Sequence, residues 1–336
     1  MQTVAFGWGT WTRRTAGLAA FSGVLLCAAV QPSHALTINA TYVGLTASAQ
    51  TVIADAISFY ASEFTDPITV AIQFHDMSSG LGASLTAAYT TNYNSFRTLL
   101  AADSKTANDA SAVASLPTGS INPVAVGDPI HFSAANGRAL GFSTAGFSLN
   151  LAGFCTFTGD GCIGLNTGLT TTGNGSTSGA YNLKSVVEHE IDEVLGLGSQ
   201  LSGTGTPSSV SAEDLFRYAS AGVRSFATNS STSGPCGSGT PNAYLSVDGG
   251  TTNLANFNNC ANGADYGDWA AGSGFAQVQD AFGTPGSTPV LTIASTEVIA
   301  LDAIGYDAVV PEPASLVLMI TGMAGIAATR RRRTTV

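Results

Sequence analysis

His189, Glu190 and Glu193 have the types and spacing to do chemistry together. They fall in the run YNLKSVVEHEIDEVLGLGS, residues 181–199. On a helix, His189 and Glu193 project from one face one turn apart, with Glu190 one position further round. An imidazole and a carboxylate so placed can hold a metal ion, and the adjacent glutamate can take a proton from metal-bound water. Carboxylate oxygens reach zinc at about 2.0–2.2 Å, so Glu193 is a competent Zn2+ ligand. A one-histidine site with added carboxylates shifts preference toward manganese, calcium or iron. Four acids, Glu188, Glu190, Asp192 and Glu193, crowd this stretch, and such a group repels itself unless a cation sits among them. Without one, the string reads as a solvated acidic face.

The helix that must carry these groups is marked by Leu183, Val186, Val187, Ile191, Val194 and Leu195 at close to helical spacing. Asn182 can cap its start, and Gly196 and Gly198 mark its stop. Before it, periodicity predicts helices over residues 48–63 and 85–102. Strands are expected over 67–74, 129–132, 138–142, 147–151 and 162–166, with a loop-rich stretch from 104 to 128. After it, Ser211 is read as the cap of a helix over 212–219, a short strand is expected over 244–247, and a last helix covers 295–304. This order is α+β: a mixed sheet, one chemistry-bearing helix and a loop-rich C-terminal subdomain.

The charge is lopsided. Between Leu36 and Val310 stand six basic residues against 21 acidic ones, a net charge near −15. Such a body repels phosphate backbones and excludes nucleic acid as a partner, while it attracts cations. Cys155, Cys162, Cys236 and Cys260 remain in this body, and an even number in an exported chain favours disulfides. The short loops Cys155–Cys162 and Cys236–Cys260 are the simplest of three connectivities.

Both ends read as addresses. Arg13–Arg14, an apolar run over 15–30 and Ser33-His34-Ala35 form a secretory signal, residues 1–35, with cleavage expected after Ala35. At the other end, Pro311-Glu312-Pro313 leads into an apolar stretch to about Ala328 and then Arg330–Arg333. That stretch could form a short transmembrane helix. The order of parts over 311–336 resembles the PEP-CTERM sorting signal of Gram-negative bacteria. The resemblance implies export, transient anchoring in the inner membrane and removal of the tail by a sorting transpeptidase. The destination it implies is the cell surface or an exopolysaccharide matrix.

The intervening body, residues 36–310, resembles the zincin-like, metzincin-type metalloproteases. Their motif is HExxHxxGxxH, and here His189, Glu190 and Gly196 match it, while Glu193 and Ser199 stand at its second and third histidine positions. Asp214-Leu215-Phe216-Arg217-Tyr218, Asp248-Gly249-Gly250, Tyr266-Gly267-Asp268-Trp269 and the segment 300–306 look like blocks of the same family. The resemblance implies a zincin-like fold and a zinc endopeptidase cleaving peptide or protein substrates. In it His189 and Glu193 hold the metal, Glu190 is the general base, and Asp214 in the family block is the third ligand. Glu213 is its rival, 20 residues after Glu193. An ordinary acid at a helix N-terminus accounts for either. His75 and His131 are alternative ligands whose commoner role is structural. Asp248, Asp265, Asp268 and Asp280 are loop acids that could hold calcium. The chain departs from strict metzincins in having no methionine between Met77 and Met319. A different class also fits Glu193: a surface or matrix protein that keeps the fold without catalysis. A lectin-like adhesin would rest only on the polar loops and the tail.

Overall fold

The computed structural model describes residues 35–119, 123, 129–151, 154–173, 179–201, 207, 209–228, 243–270 and 275–309. The signal segment up to residue 34, Cys236 and the C-terminal tail lie outside these residues. Among the described residues no helix is long and apolar enough to cross a membrane.

Strand β1 (Thr37–Val43), helix α1 (Ala47–Glu63) and strand β2 (Thr69–Asp76) form the first unit, with β1 and β2 parallel and in register from Thr37↔Thr69 to Val43↔His75. The alternation in TINATYV favours a strand. Thr46 caps α1 by accepting from Ala49 N. Strand β3 (Gly82–Thr86) follows, then β4 (Ala88–Asn92), α2 (Tyr93–Asp103) and α3 (Ala107–Ser115). The single helix expected over 85–102 is therefore two strands and a shorter helix. Thr90 and Thr91 are β-branched, and Asn92 starts the helix by accepting from Ser95 N. The stretch expected to be loop contains α3, whose start carries a reciprocal capping pair between Thr106 and Asp109.

Strand β5 (Pro129–Ser133) runs into helix α4 (Ala134–Ala139), where a strand over 138–142 was expected. Ser133 caps α4 by accepting from Asn136 N, and Ala134 and Ala135 favour the helix. Strands β6 (Phe147–Leu151), β7 (Cys155–Gly159) and β8 (Gly161–Leu165) precede the short β9 (Thr170–Thr171) and β10 (Tyr181–Asn182) and the central helix α5 (Leu183–Leu195). A disulfide joins Cys155 to Cys162, as the short-loop pairing predicts, and Cys260 is disulfide-bonded as well. The C-terminal part is irregular: β11 (Val210–Ser211), a 3-10 turn (Glu213–Phe216), β12 (Arg217–Ser220), β13 (Val223–Arg224), β14 (Tyr244–Leu245), β15 (Ala255–Asn256) and α6 (Thr296–Ala303). The helix expected over 212–219 closes after one 3-10 turn because Arg217 and Tyr218 pair with Leu245 and Tyr244 instead.

The main sheet has the order β1-β2-β8-β3, with β1, β2 and β8 parallel and β3 antiparallel at the edge. Helix α5 lies across β8 and β3 and packs against α1. Leu183, Val187, Ile191, Val194 and Leu195 are fully buried in this contact, each worth roughly 1.5–3 kcal/mol of hydrophobic stabilisation. That apolar stripe fixes the rotation of α5 and hence where its polar groups point.

Candidate functional site

The four acids of α5 divide between two faces. Glu188 and Asp192, four apart, turn toward α1, where Tyr60 Oη donates to the Glu188 carbonyl at 2.9 Å and to Asp192 Oδ1 at 2.8 Å. Burial pushes the Glu188 carboxyl up to about 8, against the opposing pull of Lys184. Burial raises the proton affinity of both carboxyls, and a proton taken up there removes the repulsion, so half of the acidic run can do without a cation.

His189, Glu190 and Glu193 form the other group, and one ligand atom from each lies within 4.8 Å of the others. They open into a cleft of about 740 Å³ between α5, the edge strand β3 and the loops after β15. Gly82 on β3 lies against Glu190, and a Cβ there would collide with its carboxylate. Glycine at this position is what lets the edge strand cross the site. Ser84 Oγ, two residues on and on the same face, donates to Glu193 Oε2 at 2.6 Å.

His189 Nδ1 meets the Val278 carbonyl at 3.0 Å. A carbonyl only accepts, so Nδ1 carries the proton and Nε2 faces the cleft. Nε2 lies 3.7 Å from Glu193 Oε1 and 3.7 Å from Asp268 Oδ1. Burial works against an imidazolium here, but Asp268, Glu193 and Glu190 outweigh it and hold His189 well above its ordinary range. Burial, then the neighbouring Glu193 charge, holds Glu190 well above the usual carboxylate range. Burial opposes the Glu193 charge too, yet His189 and Ser84 keep that carboxylate below its usual value. Glu190 is 5% exposed and its Oε2 has no hydrogen-bond partner. The arrangement presents an anionic ligand, an imidazole nitrogen and a buried acid–base group around one point.

The third member of the expected ligand set is elsewhere. Asp214 accepts from Ser199 Oγ at 2.7 Å, Gln200 N at 3.0 Å and Ser211 N at 2.9 Å. Glu213 accepts from Gly198 N at 2.6 Å. Both acids brace the loop that leaves α5, and neither belongs to the His189 group. The expectation for Asp214 is corrected by this local geometry: Ser211 caps the turn and Asp214 answers its backbone. Ser199, at the third motif position, is engaged in the same brace. His75 stacks edge-on to Phe154, and His131 lines the cleft from β5 outside the group. Asp248 accepts from Thr252 and Ser246 in its own turn, and Asp280 accepts from Gln277 N.

The loop acids that reach His189 and Glu193 are Asp268 and Asp265. Asp268 is 3% exposed; Asp265 lies against Glu193. Their loop is held by Arg217, which is fully buried over the Phe257 ring and donates to the Tyr266 carbonyl and Asn259. Its guanidinium also lies 3.9 Å from Asp214. Gly267 rests on the backbone of Gly198, where a Cβ would collide. The sequence signal for this approach is the block Tyr266-Gly267-Asp268-Trp269, whose contact with the end of α5 is not local in sequence.

Residues 309–333 match the PEP-CTERM protein-sorting motif. No curated protein and no solved structure matches the chain. The motif marks the protein as exported, sorted to the cell envelope, and a client of the corresponding sorting system.

Proposed function

We propose that the protein is an exported, metal-dependent endopeptidase with a zincin-like body, anchored for a time in the inner membrane by its tail. The observation that carries this reading is the convergence of His189, Glu190 and Glu193 beside β3, which among the described residues is the antiparallel edge strand of the main sheet. The donor set fits a divalent cation: carboxylates surround an imidazole whose proton is on the far nitrogen, and one buried glutamate oxygen has no partner. Zn2+ or a related ion held there would supply Lewis acidity toward a carbonyl and its attacking water.

The chain's own groups do the remaining work. The free side of β3 offers backbone donors and acceptors to an extended peptide, the geometry of strand addition. Glu190 faces the same cleft and takes the proton of the attacking water at its unpartnered oxygen. Its raised affinity for protons suits both that step and delivery of the proton to the leaving amine. Ser84 holds Glu193 in place, and the Val278 carbonyl holds the His189 ring.

Incubating the purified mature protein with casein, beside Glu190→Gln, tests the reading. Cleavage by the wild type and a loss of about 10²–10⁴-fold in the variant are expected. Equal or absent cleavage by both would overturn it. One observation favours the second reading, a non-catalytic surface or matrix protein: the neighbouring carboxylates favour a proton on His189 and burial favours one on Glu190, which lets the group balance its charge without an ion.

A further inference from the structure

Resting on the reading of the cleft as a peptide site, we propose that it selects substrates by a basic side chain, whose ammonium or guanidinium group meets the acidic loop wall of the cleft. Glu190, Glu193, Asp265, Asp268 and Asp280 line this cleft, and none of the six lysines and arginines between Leu36 and Val310 does. The chain's own cations are committed elsewhere. Lys105 pairs with Asp307, Arg138 with Asp160, Lys184 with Asp55 and Arg217 with Asp214. Arg224 donates to the Leu215 and Ser115 carbonyls. A cleft lined by one sign of charge concentrates the opposite sign.

The wall is held in shape by its own hydrogen bonds. Trp269 N donates to the Gln279 carbonyl at 2.8 Å and Ala281 N to the Trp269 carbonyl at 2.9 Å, which sets the segments of Asp268 and Asp280 side by side. Gln279 Nε2 donates to Asp268 Oδ1, and Gln277 N donates to Asp280 Oδ2, each at 3.0 Å. Asp265 is the exposed member and lies against Glu193. Glu190 is an independent pointer to a cationic occupant: it is buried in the same cleft and its Oε2 has no partner. Whether His189 carries a proton or its group holds an ion, Glu190 and Glu193 answer that charge. The loop acids are left for the substrate.

The test is binding of short N-acetylated peptides that differ in one central residue, lysine, arginine, leucine or glutamate. Fluorescence anisotropy with the Glu190→Gln protein reads binding without cleavage. At about pH 8, Asp280, pushed by burial up to about 6, is ionised. The lysine and arginine peptides are expected to bind at least about tenfold more tightly than the glutamate peptide. The ratio should shrink in about 1 M salt, where the Debye length falls to about 3 Å. Added to that protein, Asp265→Asn and Asp280→Asn should each lower it, with an unchanged near-ultraviolet dichroism spectrum as the check on folding. Asp76→Asn, the same charge change outside the cleft, should not. Equal binding of the four peptides, a ratio that both loop variants keep, or one that Asp76→Asn lowers as much overturns the inference. Casein cleavage by the wild type then judges the endopeptidase reading separately. Binding of no peptide at all overturns the peptide site and this inference with it.

Discussion

Glu190 and its neighbour Gly82 put the chemistry and the backbone constraint within contact distance of each other. Glu190→Gln keeps the shape of the side chain and removes its proton capacity, so the activity loss expected above should leave the melting temperature nearly unchanged. Gly82→Ala acts the other way. The new methyl group would meet the Glu190 carboxylate, and overpacking of this kind costs about 1–3 kcal/mol. Both a lower denaturation midpoint and weaker catalysis are expected, measured by urea unfolding and peptide turnover. A Gly82→Ala protein as stable as wild type would show that β3 can move away from α5.

Helix α5 has two jobs, because its polar residues face both the cleft and α1. On the α1 side, Tyr60 donates to the Asp192 side chain, which is fully buried. Tyr60→Phe keeps the ring and removes the donor. Leaving a buried carboxyl acceptor unsatisfied costs about 1–3 kcal/mol, so urea unfolding should detect a loss of that size with metal content unaltered. Loss of metal in Tyr60→Phe would instead mean that the rotation of α5 depends on this bond. The 3-10 turn Glu213–Phe216 is the second positioning element. Asp214→Asn should loosen the loop 198–201 and lower stability by about 1 kcal/mol, visible as faster amide exchange there.

Across the whole molecule, the ends of α1, α2 and α6 meet in a second acidic group remote from the cleft. Asp66 Oδ2 accepts from Asp307 N at 2.9 Å, and Lys105 pairs with Asp307. Burial, with added repulsion from Asp307 and Asp103, pushes Asp66 up to about 7 even though the Asp307 amide favours its charged form. The folded protein therefore keeps a proton that the unfolded chain releases near the ordinary aspartate value. Stability from this residue is fully present below that value and is lost as pH rises through about 7. Asp66→Asn mimics the protonated form and still accepts from Asp307 N. Its melting temperature relative to wild type should rise between pH 4 and pH 8, reaching a gain of about 3 °C or more. A constant difference across that range would show that Asp66 titrates normally.

Much was legible without coordinates. The stripe from Leu183 to Leu195 determined α5, because 3.6-residue periodicity and an Asn182 cap admit one local structure. The tail determined export, since its order of parts is recognised as a linear address. The pairing of Cys155 with Cys162 followed from a short loop. Only the tertiary structure decided which loop acids reach His189. Asp214 and Asp268 are both loop acids in recurrent-looking blocks, and nothing local distinguishes them. Asp214 is consumed by the donors of Ser199, Gln200 and Ser211, whereas Gly267 lets its own loop touch Gly198 and brings Asp268 to His189. Likewise the run of four acids on α5 suggests one charged cluster. Packing against α1 on one side and β3 on the other separates it into two, because a helix buried on both faces must satisfy each with different partners.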